Sequence, residues 1–175
     1  MEELIQKGKL AKAAAAKLAT ASSDTKRIAL VCAATALVAH TNYILEENKK
    51  DIDAGRANGM SDGLIDRLLL TPERINSIAD GIRQIADLPD PIGEVLSEVK
   101  RPNGLSIGQM RVPLGVCGII YEARPNVTAD AAALCIKSGN ACILRCGKEA
   151  HKSSMAITKV IQDAIFAAGI PKDSV

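Results

Sequence analysis

Two apolar runs constrain this chain more than anything else in it. Val116-Cys117-Gly118-Ile119-Ile120 and Ala141-Cys142-Ile143-Leu144 contain no charged residue, and a helix-length segment separates them. A strand that reads as a continuous apolar run is covered on both faces, which is the habit of parallel sheets. Parallel neighbours need a crossover, and the intervening stretch reads as a helix from about Thr128 to Ser138, stopped in left-handed geometry at Gly139-Asn140. A further helix follows Gly147, with Ile157, Val160, Ile161, Ala164, Ile165 and Ala168 on one face and Gly169 and Pro171 at its end. The expectation is a β-α-β-α unit with a right-handed crossover, the start of a Rossmann-like parallel sheet in an α/β fold. Such a sheet needs several strands, yet only two are present before Lys172-Asp173-Ser174-Val175, where a third would begin. Residues 113–175 are therefore expected to be the first part of a domain larger than this chain.

The upstream residues have a different period. Residues 1–92 read as a helical segment. Leu4, Ala11, Ala15 and Leu18 line one side of a first helix; Ile28, Val31, Thr35, Val38, Asn42 and Leu45 form a stripe after the candidate caps Ser22-Ser23-Asp24. Thr71 and Pro72 open the clearest helix, with Ile75, Ile78, Ala79, Ile82, Ile85 and Ala86 on one face and Pro89 and Pro91 beyond its end. These stripes are read as core packing. Residues 93–112 read as a β-hairpin: Val95/Ser97/Val99 and Leu105/Ile107/Gln109 have period two, and Arg101-Pro102-Asn103-Gly104 joins them with strong turn chemistry. Two strands alone are marginal in water, so this arm is expected to pack on another surface, such as a second subunit.

Composition removes several function classes. With 47% hydrophobic residues and a net charge of +2 over 175 residues, the chain is not of the disordered type. The charge is balanced and has no long basic run, so no nucleic-acid partner is expected. Ile28 to Ala39 is far shorter than the roughly 20 residues of a membrane span, and Met1-Glu2-Glu3-Leu4 lacks the basic start of an export signal. No membrane partner and a cytoplasmic location are the expectations. Five cysteines, an odd number without a CxxC, argue against a disulfide framework and for reduced thiols. Neither His40 nor His151 has a second ligand at a useful spacing, so no metal is expected.

In open α/β sheets ligands sit beyond the carboxyl ends of the strands, here the turns after Tyr121 and Leu144. The first holds Glu122, Arg124 and Asn126; the second holds Arg145, Gly147, Lys148 and Glu149 and leads into a helix. A basic loop at a helix N-terminus suits an anion, because free N–H groups and the helix dipole both favour negative charge. The chain has neither GxGxxG nor GxxxxGK[ST], so spacing alone carries this reading only a short way. Asn126 reads equally as a cap of the following helix, and Arg124 as the partner of Glu122 or Asp130.

The stretch from Val112-Pro113-Leu114-Gly115 through Tyr121-Glu122-Ala123-Arg124-Pro125-Asn126-Val127-Thr128, then Lys137-Ser138-Gly139-Asn140-Ala141 and Arg145-Cys146-Gly147-Lys148-Glu149-Ala150, resembles the gamma-glutamyl phosphate reductase family. This family, also called glutamate-5-semialdehyde dehydrogenase, belongs to the aldehyde dehydrogenase superfamily. Asn48-Lys49-Lys50-Asp51-Ile52, Asp66-Arg67-Leu68 and Asp90-Pro91-Ile92-Gly93 resemble it too, so the likeness covers nearly the whole chain. The resemblance implies NADPH-dependent reduction of L-glutamyl 5-phosphate to L-glutamate 5-semialdehyde and phosphate through a cysteine thioester, in proline biosynthesis. It implies an oxyanion-stabilising Asn126 and cofactor contacts from Arg145, Gly147 and Lys148, the lysine suiting the 2′-phosphate of NADP. It also implies a small-molecule substrate, a homo-oligomer joined through the hairpin arm, and a contact with glutamate 5-kinase. Cys146 departs from the family's usual Gly-Gly pair before the lysine. The family's nucleophilic cysteine lies further along the chain than these turns, and none of Cys32, Cys117, Cys135, Cys142 and Cys146 matches its motif; this chain alone is expected to be inactive. The competing expectations are a non-catalytic binding or assembly module and a relative acting on another acyl substrate.

Overall fold

The computed structural model describes residues 2–175. Five helices come first: α1 (Glu2–Leu18), α2 (Ser23–Ala39), α3 (Thr41–Ala57), α4 (Asp62–Leu68) and α5 (Pro72–Asp87). Strands β1 (Val95–Lys100) and β2 (Ser106–Met110) follow, then β3 (Val116–Ile120), α6 (Pro125–Lys137), β4 (Ala141–Arg145) and α7 (His151–Ala167). β1 and β2 pair antiparallel and β3 and β4 pair parallel, as two separate sheets.

The expected caps start the helices. The Thr25 amide donates to Ser22 Oγ at 3.1 Å, and the Arg74 amide to Thr71 Oγ1 at 3.2 Å. The α5 stripe is buried as read, with Ile75, Ile78, Ala79, Ile82 and Ala86 in the core. The second stripe is corrected. α2 and α3 are distinct helices bent by 68° at His40. The buried face of α2 is Ala29, Leu30, Ala33, Ala34 and Leu37, leaving Ile28 52% and Val31 36% exposed. α2 packs against α5, α6 and α7, and its alanines let those backbones approach closely. In α1, Ala11, Ala15 and Leu18 are buried, but Leu4 is exposed because the first two turns carry no packed face.

The hairpin forms with Lys100 opposite Ser106 and a bulge between Val95 and Ser97. Its turn closes through the Gly104 amide donating to the Arg101 carbonyl at 2.9 Å, with Gly104 at φ +84°. Every residue of both strands is exposed.

β3 and β4 align in register from Val116 opposite Ala141 to Ile120 opposite Arg145. Their period-two faces meet different layers. Cys117, Ile119, Cys142 and Leu144 join the main core with Ala132 and Ile136 of α6 and Ile157 and Ile161 of α7. Val116, Ala141 and Ile143 pack with Ala11 and Ala15 of α1. The expectation that β3 is covered on both faces holds only at its start: Ile120 is 85% exposed, because α1 reaches over Val116 and not beyond. Among the described residues no single helix is long and apolar enough to cross a membrane.

The α6 stop behaves as expected, with Gly139 at φ +71°. A Cβ there would lie 2.9 Å from Pro113 Cγ. Gly139→Ala is expected to destabilise the chain by about 1–3 kcal/mol, combining left-handed strain with that overlap. Thermal unfolding checks this; an unchanged midpoint would remove the argument.

Candidate functional site

Because β3 and β4 end level with one another, their following turns lie side by side. The Tyr121 amide extends the ladder to the Arg145 carbonyl at 3.0 Å. The Gly147 backbone sits against the first turn: a Cβ there would be 3.4 Å from Ala123 N and 3.5 Å from Glu122 C. Tyr121 and Thr128 hydroxyls share a 2.6 Å hydrogen bond, which fastens the first turn to α6. Burial pushes the Tyr121 phenol pKa upward, so it stays protonated.

α6 begins at Pro125, three residues earlier than the sequence suggests, because proline is preorganised for the first helical position. Asn126 thus stands in the first turn of the helix. The cap position is Arg124, which makes no side-chain capping bond, so Asn126 does not cap α6. Its Nδ2 donates to Asp130 Oδ2 at 3.2 Å. An amide has two N–H donors, so one remains for a ligand. Burial pushes the Asp130 carboxyl above the usual range, and the Asn126 hydrogen bond only partly offsets this.

Asn126 opens onto a cleft of about 380 Å³ bounded by Asp66, Arg67, Leu70, Arg74, Arg124 and Asp130, among others. Its far wall is the loop joining α4 to α5. Arg74 pins that loop, donating to the Asp66 carbonyl at 2.5 Å, the Leu69 carbonyl at 2.8 Å and Asp66 Oδ1 at 2.7 Å. Buried Asn48 holds it from behind: Nδ2 donates to the Leu68 carbonyl at 2.8 Å, and Oδ1 accepts from the Leu70 amide at 2.8 Å. Sequence reasoning did not place Arg67 and Arg74 beside Asn126, since only the fold brings that loop to the β3 turn. Neither Glu122 nor Asp130 forms an ion pair with Arg124.

The second turn differs from the expectation in one respect. A short 3₁₀ turn, Lys148–Ala150, intervenes before α7, so Lys148 does not lie at the α7 N-terminus. Two of the amides there are already engaged. Asp51 of α3, 6% exposed, accepts from the Lys152 amide at 3.3 Å, the Ser153 amide at 2.8 Å and Ser153 Oγ at 2.6 Å. The anion at the α7 N-terminus is thus the protein's own carboxylate. Lys148 and Glu149 instead border a separate cavity of about 420 Å³ with Asp51, Ala54, Gly55, Asn58, Met60 and Leu64. Arg145 is exposed at the end of β4. Asn126 and Lys148 therefore line different cavities on adjoining turns.

Cys117 and Cys142 are opposite each other across the ladder, with Cys135 of α6 in the same core. Burial pushes the Cys117 thiol up. Cys135 and Cys142 are buried and Cys117 and Cys146 partly so, whereas Cys32 is exposed on α2.

No protein-family model matches the chain. A curated relative from Anoxybacillus flavithermus, named gamma-glutamyl phosphate reductase, is 54% identical over 175 residues, which is all of this chain and 42% of that protein. The crystal structure of gamma-glutamyl phosphate reductase from Thermotoga maritima superposes with a TM-score of 0.97 at 39% identity, covering 99% of this chain and 42% of that one. An acetylating aldehyde dehydrogenase from Geobacillus thermoglucosidasius shares the fold, with a TM-score of 0.71 at 16% identity over 98% of this chain and 35% of that one. The chain spans about two fifths of the length of the relatives it matches and has a partial domain of their fold.

Proposed function

Because the chain belongs to the gamma-glutamyl phosphate reductase family, we propose that it supplies the cofactor-binding part of an enzyme of proline biosynthesis. The reaction is reduction of L-glutamyl 5-phosphate by NADPH to L-glutamate 5-semialdehyde and phosphate. The observation that carries this reading is the pairing of a free Asn126 amide N–H with an arginine-lined cleft at the carboxyl end of β3.

In this account a cysteine thiolate outside residues 1–175 attacks the acyl phosphate. The carbon–oxygen bond to phosphate breaks, and phosphate leaves with the electron pair. A bound nicotinamide would supply the hydride that reduces the resulting thioester to the aldehyde, the carbon–sulfur bond breaking and the thiolate leaving with its electron pair. Asn126 donates to the oxyanion that develops on the acyl oxygen, a group that carries charge in the transition state more than in the substrate. The Cys117, Cys142 and Cys135 thiols, on β3, β4 and α6, lie in or against the core and are not placed to act as the nucleophile.

The cofactor turn suits an anionic dinucleotide. Gly147 keeps it close beside the β3 turn, where a Cβ would lie 3.4 Å from Ala123 N. Lys148 has no carboxylate within 4 Å among the described residues, so its charge is available. With the Lys152 and Ser153 amides committed to Asp51, recognition of a 2′-phosphate falls to the side chains of Lys148 and Arg145. Lys148→Glu is expected to lower the NADPH-to-NADH ratio of kcat/KM by about tenfold or more, the worth of one hydrogen bond to a charged group. An unchanged ratio would break the assignment.

The arm supports a homo-oligomer: Val95, Leu96, Val99, Leu105, Ile107 and Met110 are large apolar residues, each about half exposed. A small-molecule substrate, a cytoplasmic location and contact with glutamate 5-kinase complete the proposal by family likeness. Turnover of the full-length protein tests it in reverse, from L-glutamate 5-semialdehyde, phosphate and NADP. NADPH should form only when phosphate is present; formation without phosphate, or none at all, would reject the substrate assignment.

A further inference from the structure

The cleft beside Asn126 holds more positive charge than its own ion pairs use. Arg67, Arg74 and Arg124 line it against the carboxylates of Asp66 and Asp130. Arg74 and Asp66 are paired with each other at 2.7 Å. Asp130 accepts from Asn126, and burial raises its carboxyl pKa. Among the described residues neither Arg67 nor Arg124 has a carboxylate within 4 Å or a guanidinium hydrogen bond.

Both free guanidiniums spring from anchored backbone. Arg124 precedes Pro125 and is held extended at φ −130°, ψ 95°. Its carbonyl accepts from the Val127 amide at 3.1 Å, which ties it to the first turn of α6. Arg67 lies in the last turn of α4, just before the loop that Asn48 and Arg74 pin. Two like charges converging on one cleft are unfavourable until an anion enters, and guanidinium matches the two-oxygen edge of a carboxylate or phosphoryl group.

We propose that Arg67 and Arg124 are the specificity-determining residues of this cleft, binding the oxyanion groups, carboxylate or phosphoryl, of the substrate whose acyl oxygen Asn126 serves. This deepens the reductase reading and rests on it. A neutral acyl substrate leaves both arginines unmatched, so the cleft selects anionic substrates by what it fails to offer neutral ones.

The test uses the full-length enzyme and its variants Arg67→Gln, Arg124→Gln and Arg124→Lys, each first shown to unfold at the wild-type temperature. KM for phosphate and KM for L-glutamate 5-semialdehyde are measured separately in the reverse reaction. Each glutamine variant should raise one KM by about tenfold or more with a smaller change in kcat, and Arg124→Lys should recover part of the loss. A rise in the phosphate KM assigns that arginine to the phosphoryl group, and a rise in the semialdehyde KM assigns it to the carboxylate. Wild-type turnover with both KM values unchanged in both glutamine variants would overturn the inference while leaving the reductase reading intact. Should the wild type show no turnover, that reading fails. Calorimetric binding of inorganic phosphate and of L-glutamate to the same proteins then decides for the arginines: weaker binding in the variants upholds them as an anion site, and equal binding overturns it.

Discussion

Asp90→Ala is expected to destabilise the chain by about 3–5 kcal/mol, the cost of leaving a buried charge without its partner. Lys26 is 2% exposed, and its Nζ lies 2.5 Å from Asp90 Oδ2. Asp90 also accepts from Ser23 Oγ at 2.7 Å and from the Ile92 amide at 3.0 Å, so one carboxylate joins the start of α2 to the segment entering the hairpin. At roughly 2–4 °C per kcal/mol for a chain of this size, the unfolding midpoint should fall by about 6–20 °C. Lys26→Met, Asp90→Ala made together should lose much less than the sum of the two single changes, since an apolar replacement of the pair leaves no orphaned charge. Additive losses would mean that the two side chains act separately.

The same group sets an acid-side dependence. Burial alone would raise the Asp90 pKa, but the hydrogen bonds from Lys26, Ser23 and the Ile92 amide, with the Lys26 charge, hold it below the usual carboxylate value. The stabilisation is therefore fully present above about pH 4, the unfolded value, and is lost as pH falls through the lower folded value. Asp90→Ala should flatten that part of the stability profile.

Asn126→Ala in the full-length enzyme is expected to lower kcat by about 10²–10³, or about 2.7–4 kcal/mol, with little change in KM. The reason lies in the role proposed above, in which the free N–H donates to the acyl oxygen most strongly when that oxygen carries charge. Asn126 also donates to Asp130, so Asp130→Asn separates the two roles. It keeps an acceptor for Asn126 and should cost far less in kcat. A fall of less than about threefold in Asn126→Ala would assign the amide to holding α6 and nothing more.

The parallel ladder was legible because apolar runs, a glycine stop and turn residues all agreed, and Gly139 adopts the left-handed geometry its position called for. The faces were less legible. Ile28 and Val31 suggested a buried stripe, but close packing selected the alanines beside them, a choice made by neighbouring helices and invisible in local periodicity. The site was legible only where it is local. Asn126 in the first turn of α6, Arg145 at the end of β4, and Gly147 and Lys148 just beyond it are candidates whose place follows from the strands. Arg67 and Arg74 reach the cleft through the path of the α4–α5 loop, and Asp51 reaches α7 from far away in sequence. That last contact also changed the chemistry: the helix terminus that looked ready for a phosphate already holds a carboxylate.

If these residues form the cofactor half of a reductase whose nucleophile lies elsewhere, the 175-residue chain and the full-length protein must differ in turnover. Both are assayed in parallel with L-glutamate 5-semialdehyde, phosphate and NADP. NADPH formation by the full-length protein and none by the chain alone is the expected result; turnover by the chain alone would contradict it.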